Sequence, residues 1–231
     1  MTDLAVLVRG VTKSFARGEI ITTVLQSVDL SIKRGECLFL LGPSGSGKTT
    51  LMSIIGCLLT PDAGRIEVLG RNIAQMSMSE RANLRRKEIG FVFQRFNLIR
   101  GLTAVENVAT PLRLDGLNER VARRRAVALL ERVGLGDKAN ESPQRMSVGQ
   151  CQRVAVARAL IADPQIVLAD EPTASLDAES GKQAMRLLRE LTVEAGKTLV
   201  VVTHDHRIVP AGTSADRIVA MDSGRLVESP S

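Results

Sequence analysis

Residues Gly42-Pro43-Ser44-Gly45-Ser46-Gly47-Lys48-Thr49 form a complete G-x-x-x-x-G-K-[ST] loop. It lies where its mechanics require, after the apolar run Cys37–Leu41 and before a helix-like run from Thr49 to Leu59. Gly42, Gly45 and Gly47 allow a tight turn that brings backbone N–H groups up to a polyphosphate. Lys48 supplies a point charge for the β- and γ-phosphates. The Thr49 hydroxyl is a ligand for Mg²⁺, and the following helix aims its positive end at the anion. A Gly/Ser turn ahead of any helix does not need all four fixed residues. The loop therefore implies a P-loop α/β core that binds a nucleoside triphosphate.

The 231 residues suit one such domain, or two small subdomains, with an ample core. Residues 5–8 and 20–32 read as strands of a small antiparallel sheet, turned at Gly18. Cys37–Leu41 is fully apolar, as expected of a parallel strand covered on both faces. A turn at Thr60–Gly64 follows, then strands at Arg65–Leu69 and Ile89–Phe93. From Thr103 to Ala162 the pattern is helical, with helices at Glu119–Val133 and Ser147–Ala162, the latter stopped before Pro164. Strands return at Gln165–Ala169 and Thr198–Thr203, with a helix at Ala178–Glu194 between them. Asp216–Asp222 and Gly224–Val227 form a closing pair. The expectation is a single domain over 1–231. Its core and β-subdomain cover about 1–94 and 164–231, and a helical subdomain covers about 95–163.

No run of 18 apolar residues occurs, so no segment reads as a membrane span, and Met-Thr-Asp-Leu at the start has no export-signal character. A cytosolic protein is expected. The three cysteines are scattered and form no metal or disulfide pattern. The net charge of +6 gathers in two clusters, Arg81, Arg85, Arg86, Lys87 and Arg120, Arg123, Arg124, Arg125. Glu80, Glu88, Glu119 and Glu131 flank them and no aromatic ring interleaves. Solvated helix faces are the better reading than a nucleic-acid surface, with attraction to an anionic membrane as a weaker option.

A second set of residues fits the phosphate loop. The buried run Ile166–Ala169 ends in Asp170 and Glu171, at the carboxyl end of a strand, where α/β sheets bind ligands. Asp170 is placed to hold Mg²⁺, and Glu171 to position or deprotonate an attacking water. Ser147 with Gln150 fits a capping box, and its helix start is also an anion-seeking end. Two such ends in one chain point to two surfaces closing on one γ-phosphate, from one chain or from two. Gln94 follows one strand and can reach the metal or the water, or stand exposed. His204 follows another and can contact the γ-phosphate.

In that order, the phosphate loop, Gln94, Ser147-Val148-Gly149-Gln150, Asp170-Glu171, Ser175-Leu176-Asp177 and His204 resemble the ATP-binding subunit of ABC transporters, over about residues 4–228. Phe93–Leu98 and Leu102–Val108 look most like the lipoprotein-releasing and macrolide-export branch. The resemblance implies an ATPase that works as a head-to-tail homodimer. Each ATP, with Mg²⁺, would sit on Gly42 to Thr50 of one chain and be capped by Ser147, Gly149 and Gln150 of the other. Glu171 would be the general base, His204 the γ-phosphate contact, and Asp177 a link between the two sites. Gln94 would sense the metal and signal to a separately encoded membrane permease. The subunit would lie peripherally on the cytoplasmic face of the inner membrane, with no nucleic-acid partner.

The chain departs from the family pattern at three places. Val148 replaces a glycine, which would strain the backbone if that position needs φ > 0 and would then affect rate rather than binding. Cys151 replaces a common glutamine. Phe15 stands where the family often stacks a tyrosine on adenine. Phe96–Leu102 is a candidate permease-docking segment, unless Phe96 and Leu98 merely pack the helical insert. A nucleic-acid- or ribosome-directed relative would be expected to carry coiled-coil insertions or two ATP-binding halves. A P-loop kinase would leave residues 146–150, Glu171 and His204 unexplained.

Overall fold

The computed structural model describes residues 3–209 and 216–227, apart from the side chain of Arg207. Parts of the expected domain (1–2, 210–215 and 228–231) lie outside them. The chain opens with a long hairpin, β1 (Leu4–Arg17) and β2 (Ile20–Lys33). Strand β1 also pairs with β4 (Ala63–Val68), and β4 with β5 (Arg71–Asn72), giving an antiparallel sheet in the order β2-β1-β4-β5. Val6 and Val8, like Val28, Leu30 and Ile32, alternate inward as the period of a strand requires.

The second sheet has the order β10-β9-β3-β8-β7-β6. Strands β3 (Cys37–Leu41), β6 (Ile89–Val92), β7 (Ile166–Asp170), β8 (Thr198–Thr203) and β9 (Asp216–Asp222) run parallel, and β10 (Arg225–Val227) closes back on β9. Both faces are covered, and alternate residues of β3 enter different cores. Leu38 and Leu40 join Val200, Val202 and the antiparallel sheet, with Leu51, Met52, Ile54 and Ile55 of α1 (Lys48–Ile55). Cys37 and Phe39 join Leu199 and Val201 against α3 (Ala104–Leu114), α4 (Glu119–Arg132), α5 (Val148–Leu160) and α6 (Ala178–Leu191). Each fully buried Leu or Phe of β3 contributes about 1.5–3 kcal/mol, which fixes the register that sets the loops at the strands' carboxyl ends.

The basic cluster at Arg81–Lys87 lies on helix α2 (Met78–Glu88), a largely solvated helix as expected, whose bounds the apolar pattern did not mark. The helix buries only Leu84 and is set by a capping box, with Ser77 N–H donating to Glu80 at 2.7 Å and Glu80 N–H to the Ser77 hydroxyl at 3.2 Å. The basic clusters are partly structural. Arg85 donates to the Cys57 carbonyl at 2.9 Å, Arg86 to the Leu114 carbonyl at 2.7 Å, and Arg123 to Asn140 at 2.6 Å. Helix α1 ends at Ile55, short of Leu59, because the chain turns through Cys57 in the left-handed region (φ 57°). Helix α6 ends at Leu191 rather than Glu194. Among the described residues no helix is long and apolar enough to cross a membrane.

Candidate functional site

The loop between β3 and α1 is drawn tightly over the sheet. At Gly42 (φ 153°) a Cβ would lie 2.1 Å from the Met221 carbonyl oxygen, so no larger residue fits. Gly47 is the N-cap of α1 and brings no side chain to satisfy the helix's first N–H groups, which remain available to an anion. Lys48 is buried, and its ammonium donates to the Gly42 and Pro43 carbonyls, both at 2.8 Å. Burial pushes its pKa down, against the pull of Glu171 and Asp170.

The ends of β7 and β8 complete the cleft. The Thr49 hydroxyl donates to Asp170, 3.2 Å from Oδ1 and 3.3 Å from Oδ2. Desolvation raises the Asp170 pKa, offset in part by the Thr49 hydrogen bond. A hydroxyl and a desolvated carboxylate are the hard oxygen donors that suit Mg²⁺. Glu171 is in the left-handed region (φ 47°), and its N–H donates to the Val202 carbonyl at 2.8 Å. Its carboxylate accepts from the Thr203 hydroxyl and the His204 N–H, both at 3.1 Å, and faces His204 Nδ1 at 2.6 Å.

Lys48, Thr49, Asp170, Glu171 and His204 line a cleft of about 570 Å³ with Pro43, Ser44, Gly45, Gly47, Thr50 and Gln94. Ser46 lies buried behind it. Gln94, Glu171 and His204 also border a neighbouring cleft of about 620 Å³, together with Asp177. Val24 of β2 lines the nucleotide cleft too, and no sequence motif marked it. Phe15 is on β1 opposite Thr22, 42% exposed, and outside this lining.

Ser147, Val148 and Gly149 lie elsewhere, in a cleft of about 670 Å³ that also reaches Asp177. The expected capping box is present. Ser147 N–H donates to Gln150 Oε1 at 2.9 Å, and Gln150 N–H to the Ser147 hydroxyl at 3.3 Å. Val148 takes ordinary helical backbone, so its branched side chain brings no φ > 0 strain. A Cβ at Gly149 would meet nothing within 4 Å, so that face is open to another molecule. Asp177 caps α6, with Oδ1 accepting from the N–H groups of Glu179 at 3.1 Å and Ser180 at 2.9 Å. Its hydrogen bonds, the Ser180 hydroxyl foremost, hold its carboxyl below the usual range.

The segment Phe96–Leu102 is mixed, with Ile99 42% exposed. Phe96 and Leu98 are half-buried against the helical core. The apolar groove lies beside it, about 580 Å³ in volume, between Leu58, Phe91, Phe93, Pro111 and Leu114.

A phosphate loop after a central parallel strand, with two acids at the end of β7, the next strand but one, defines a P-loop nucleoside-triphosphatase cassette. A sequence profile of the ABC transporter family matches residues 25–174, and the chain belongs to that family as an ABC ATPase cassette. It is 43% identical over 226 residues to the lipoprotein-releasing system ATP-binding protein LolD of Shewanella oneidensis, covering 98% of this chain and 97% of that protein. It is 42% identical over 225 residues to the macrolide export ATP-binding/permease protein MacB of Bartonella quintana, covering 97% of this chain. The chain spans about a third (34%) of the length of that MacB. Among solved structures, the dimeric cassette MJ0796 in a post-hydrolysis state, bound to ADP and Pi, superposes with a TM-score of 0.88. It is 43% identical, with 96% of this chain and 97% of that one covered.

Proposed function

We propose that this cassette cleaves ATP between two head-to-tail copies, and so drives a membrane permease of the lipoprotein-releasing or macrolide-export kind from the cytoplasmic face of the inner membrane. One observation carries the reading. The parts of a phosphate-cleaving site are divided between two clefts that share no lining residue, one around Lys48 and one around Ser147. A second copy can present its Ser147, Gly149 and Gln150 to the first copy's Lys48 cleft. The dimeric state of the related MJ0796 cassette supports that pairing.

Within the pair, Lys48 exchanges its loop carbonyls for phosphate oxygens, and the unpaired N–H groups at the start of α1 bind the same anion. Thr49, Asp170 and Gln94 would hold Mg²⁺, whose charge would offset that of the phosphates. Glu171 takes a proton from a water whose oxygen attacks the γ-phosphorus; the bond to the ADP oxygen breaks, and ADP and phosphate leave. His204 steadies Glu171 through Nδ1 and offers its ring to the γ-phosphate. Asp177 lines both the Ser147 cleft and the neighbouring cleft bordered by Gln94, Glu171 and His204, and would report one site to the other. Phe15 would stack on the adenine. Closure gains free energy only while the γ-phosphate bridges both copies, so cleavage reopens them.

The apolar groove at Phe93 and Leu114 begins close to Gln94 in the chain and would take a cytoplasmic segment of the permease. Purified chain should turn over ATP, form an ATP-dependent dimer when hydrolysis is blocked, and co-purify in detergent with a multi-span membrane protein. A chain that neither retains nor cleaves ATP defeats the proposal. Co-purification with DNA or ribosomes instead defeats its transport half.

A further inference from the structure

The stretch from Gln94 to Thr103 joins the parallel sheet to the helical insert, and one arginine grips its middle. Arg158 stands on α5, about three turns beyond Ser147. Its Nη1 donates to the Asn97 carbonyl at 2.6 Å and its Nη2 to the Phe96 carbonyl at 2.7 Å. Among the described residues Arg158 forms no ion pair, and burial pushes its pKa down. The planar fork is directed at the backbone rather than at a carboxylate.

Both gripped carbonyls belong to residues in the left-handed region, Phe96 at φ 58° and Asn97 at φ 48°. Asparagine tolerates that conformation; a phenylalanine holds it only where its surroundings over-determine it. The flanks are tied as well. The Ser175 hydroxyl donates to the Gln94 carbonyl at 3.4 Å. The Asn107 side chain accepts from the Ile99 N–H at 2.7 Å and donates to the Ile99 carbonyl at 3.2 Å. Among these ties, the Arg158 fork links the segment to the helix that begins with the Ser147–Gln150 capping box.

We infer that Arg158 is a positioning residue for Gln94. By fastening Phe96 and Asn97 to α5, it makes Gln94 move with the helix that carries Ser147, so the two parts of the site shift together. The inference rests on the proposed role of Gln94 in the ATP cleft. A purely architectural Arg158 would hold the connecting stretch against α5 without bearing on Gln94.

The test is a double-mutant cycle on the full chain, Arg158→Met with Gln94→Ala, read as kcat and KM for ATP, with amide hydrogen exchange of residues 95–102 beside it. Arg158→Met should lower kcat about tenfold with KM within about twofold, and in the Gln94→Ala background it should change kcat by less than about twofold. Exchange at 95–102 should quicken about tenfold in the nucleotide-free variant while the core of α5 keeps its protection. Arg158→Lys keeps the charge without the planar fork and should restore part of both readouts; it carries the cycle if the methionine variant does not fold. Full multiplicative losses in the double variant, or unchanged exchange at 95–102, overturn the inference. Wild-type turnover in Gln94→Ala alone would instead remove the role given to Gln94. The exchange readout still reports the clamp where that variant is too slow to assay.

Discussion

His204 Nδ1 lies 2.6 Å from Glu171 Oε1, so the acid at the end of β7 is held by the residue that follows β8. The Thr203 hydroxyl donates to the other oxygen at 3.1 Å. Glu171 is thus aimed by both oxygens before any nucleotide arrives. Its left-handed backbone, a conformation that costs about 1–3 kcal/mol for such residues, is offset by the Val202 hydrogen bond and these side-chain ties.

Glu171→Gln keeps the shape and one acceptor but cannot take a proton. Turnover should fall at least about a hundredfold, the scale of a lost general base, with ATP affinity unchanged. Gel filtration with ATP should show a persistent dimer. His204→Ala should also lower turnover, and the double variant should be no slower than Glu171→Gln, because the two act as one unit. Undiminished turnover in Glu171→Gln would remove it from the base role.

Lys48→Ala removes an ammonium held at 2.8 Å by two carbonyls that it is proposed to exchange for phosphate. A charged hydrogen bond of about 1.5–3 kcal/mol corresponds to about a ten- to hundredfold weaker Kd for ATP. Titration calorimetry reads it directly, and undiminished affinity would contradict the assignment of the phosphate loop.

Asp170 is a carboxylate whose folded pKa is raised above 3.8 by desolvation. Below 3.8 both the folded and the unfolded chain hold the proton. As pH rises the unfolded chain releases it first, so the stability linked to this group is complete in acid and is lost as pH climbs through the raised folded value. Asp170→Asn should therefore raise the melting temperature of the nucleotide-free chain at neutral pH, on a scale of about 2–4 °C per kcal/mol. The gain should shrink on acidification, while ATP turnover is lost. Scanning calorimetry across the folded pH range checks the sign; a gain that grows in acid would refute it.

Leu114 stands at the rim of the apolar groove, 66% exposed at the end of α3. Leu114→Asp buries nothing new, so folding and intrinsic ATPase should stay within about twofold of wild type. Recovery of the permease in detergent should drop about tenfold, as expected for a charge placed in an apolar contact. Full recovery would place the docking surface elsewhere.

The strands and the phosphate loop were legible because their signals are local. Cys37–Leu41 is apolar throughout, and eight consecutive residues carry the loop. Helix α2 was read only as a solvated basic helix face, without bounds, because Leu84 is its one buried residue, although Ser77 and Glu80 announce its capping box. Phe96 could not be assigned between surface and core, since its contacts come from the helical insert far along the chain. Val24 and Arg158 carry no motif, and their places depend on strand pairing and on a left-handed loop that no pattern in the sequence encodes.

Val148 is the departure from the family pattern that the structure explains most directly. It is the first residue of α5, helical and 48% exposed, where a branched side chain meets no preceding turn. Val148→Gly should therefore bring no relief of backbone strain. Gly is less favourable than Val in a helix by a fraction of about 1 kcal/mol, and less so at the first position, so the melting temperature should fall slightly or not at all. If the two copies close over this face, the isopropyl group lies beside the nucleotide of the opposite chain. Removing it should then alter kcat, by about two- to fivefold on the scale of a small change in transition-state contact, with KM for ATP little moved. A rise of several degrees in melting temperature would show that the valine was strained after all. An unchanged kcat would mean that its side chain does not meet the opposite site.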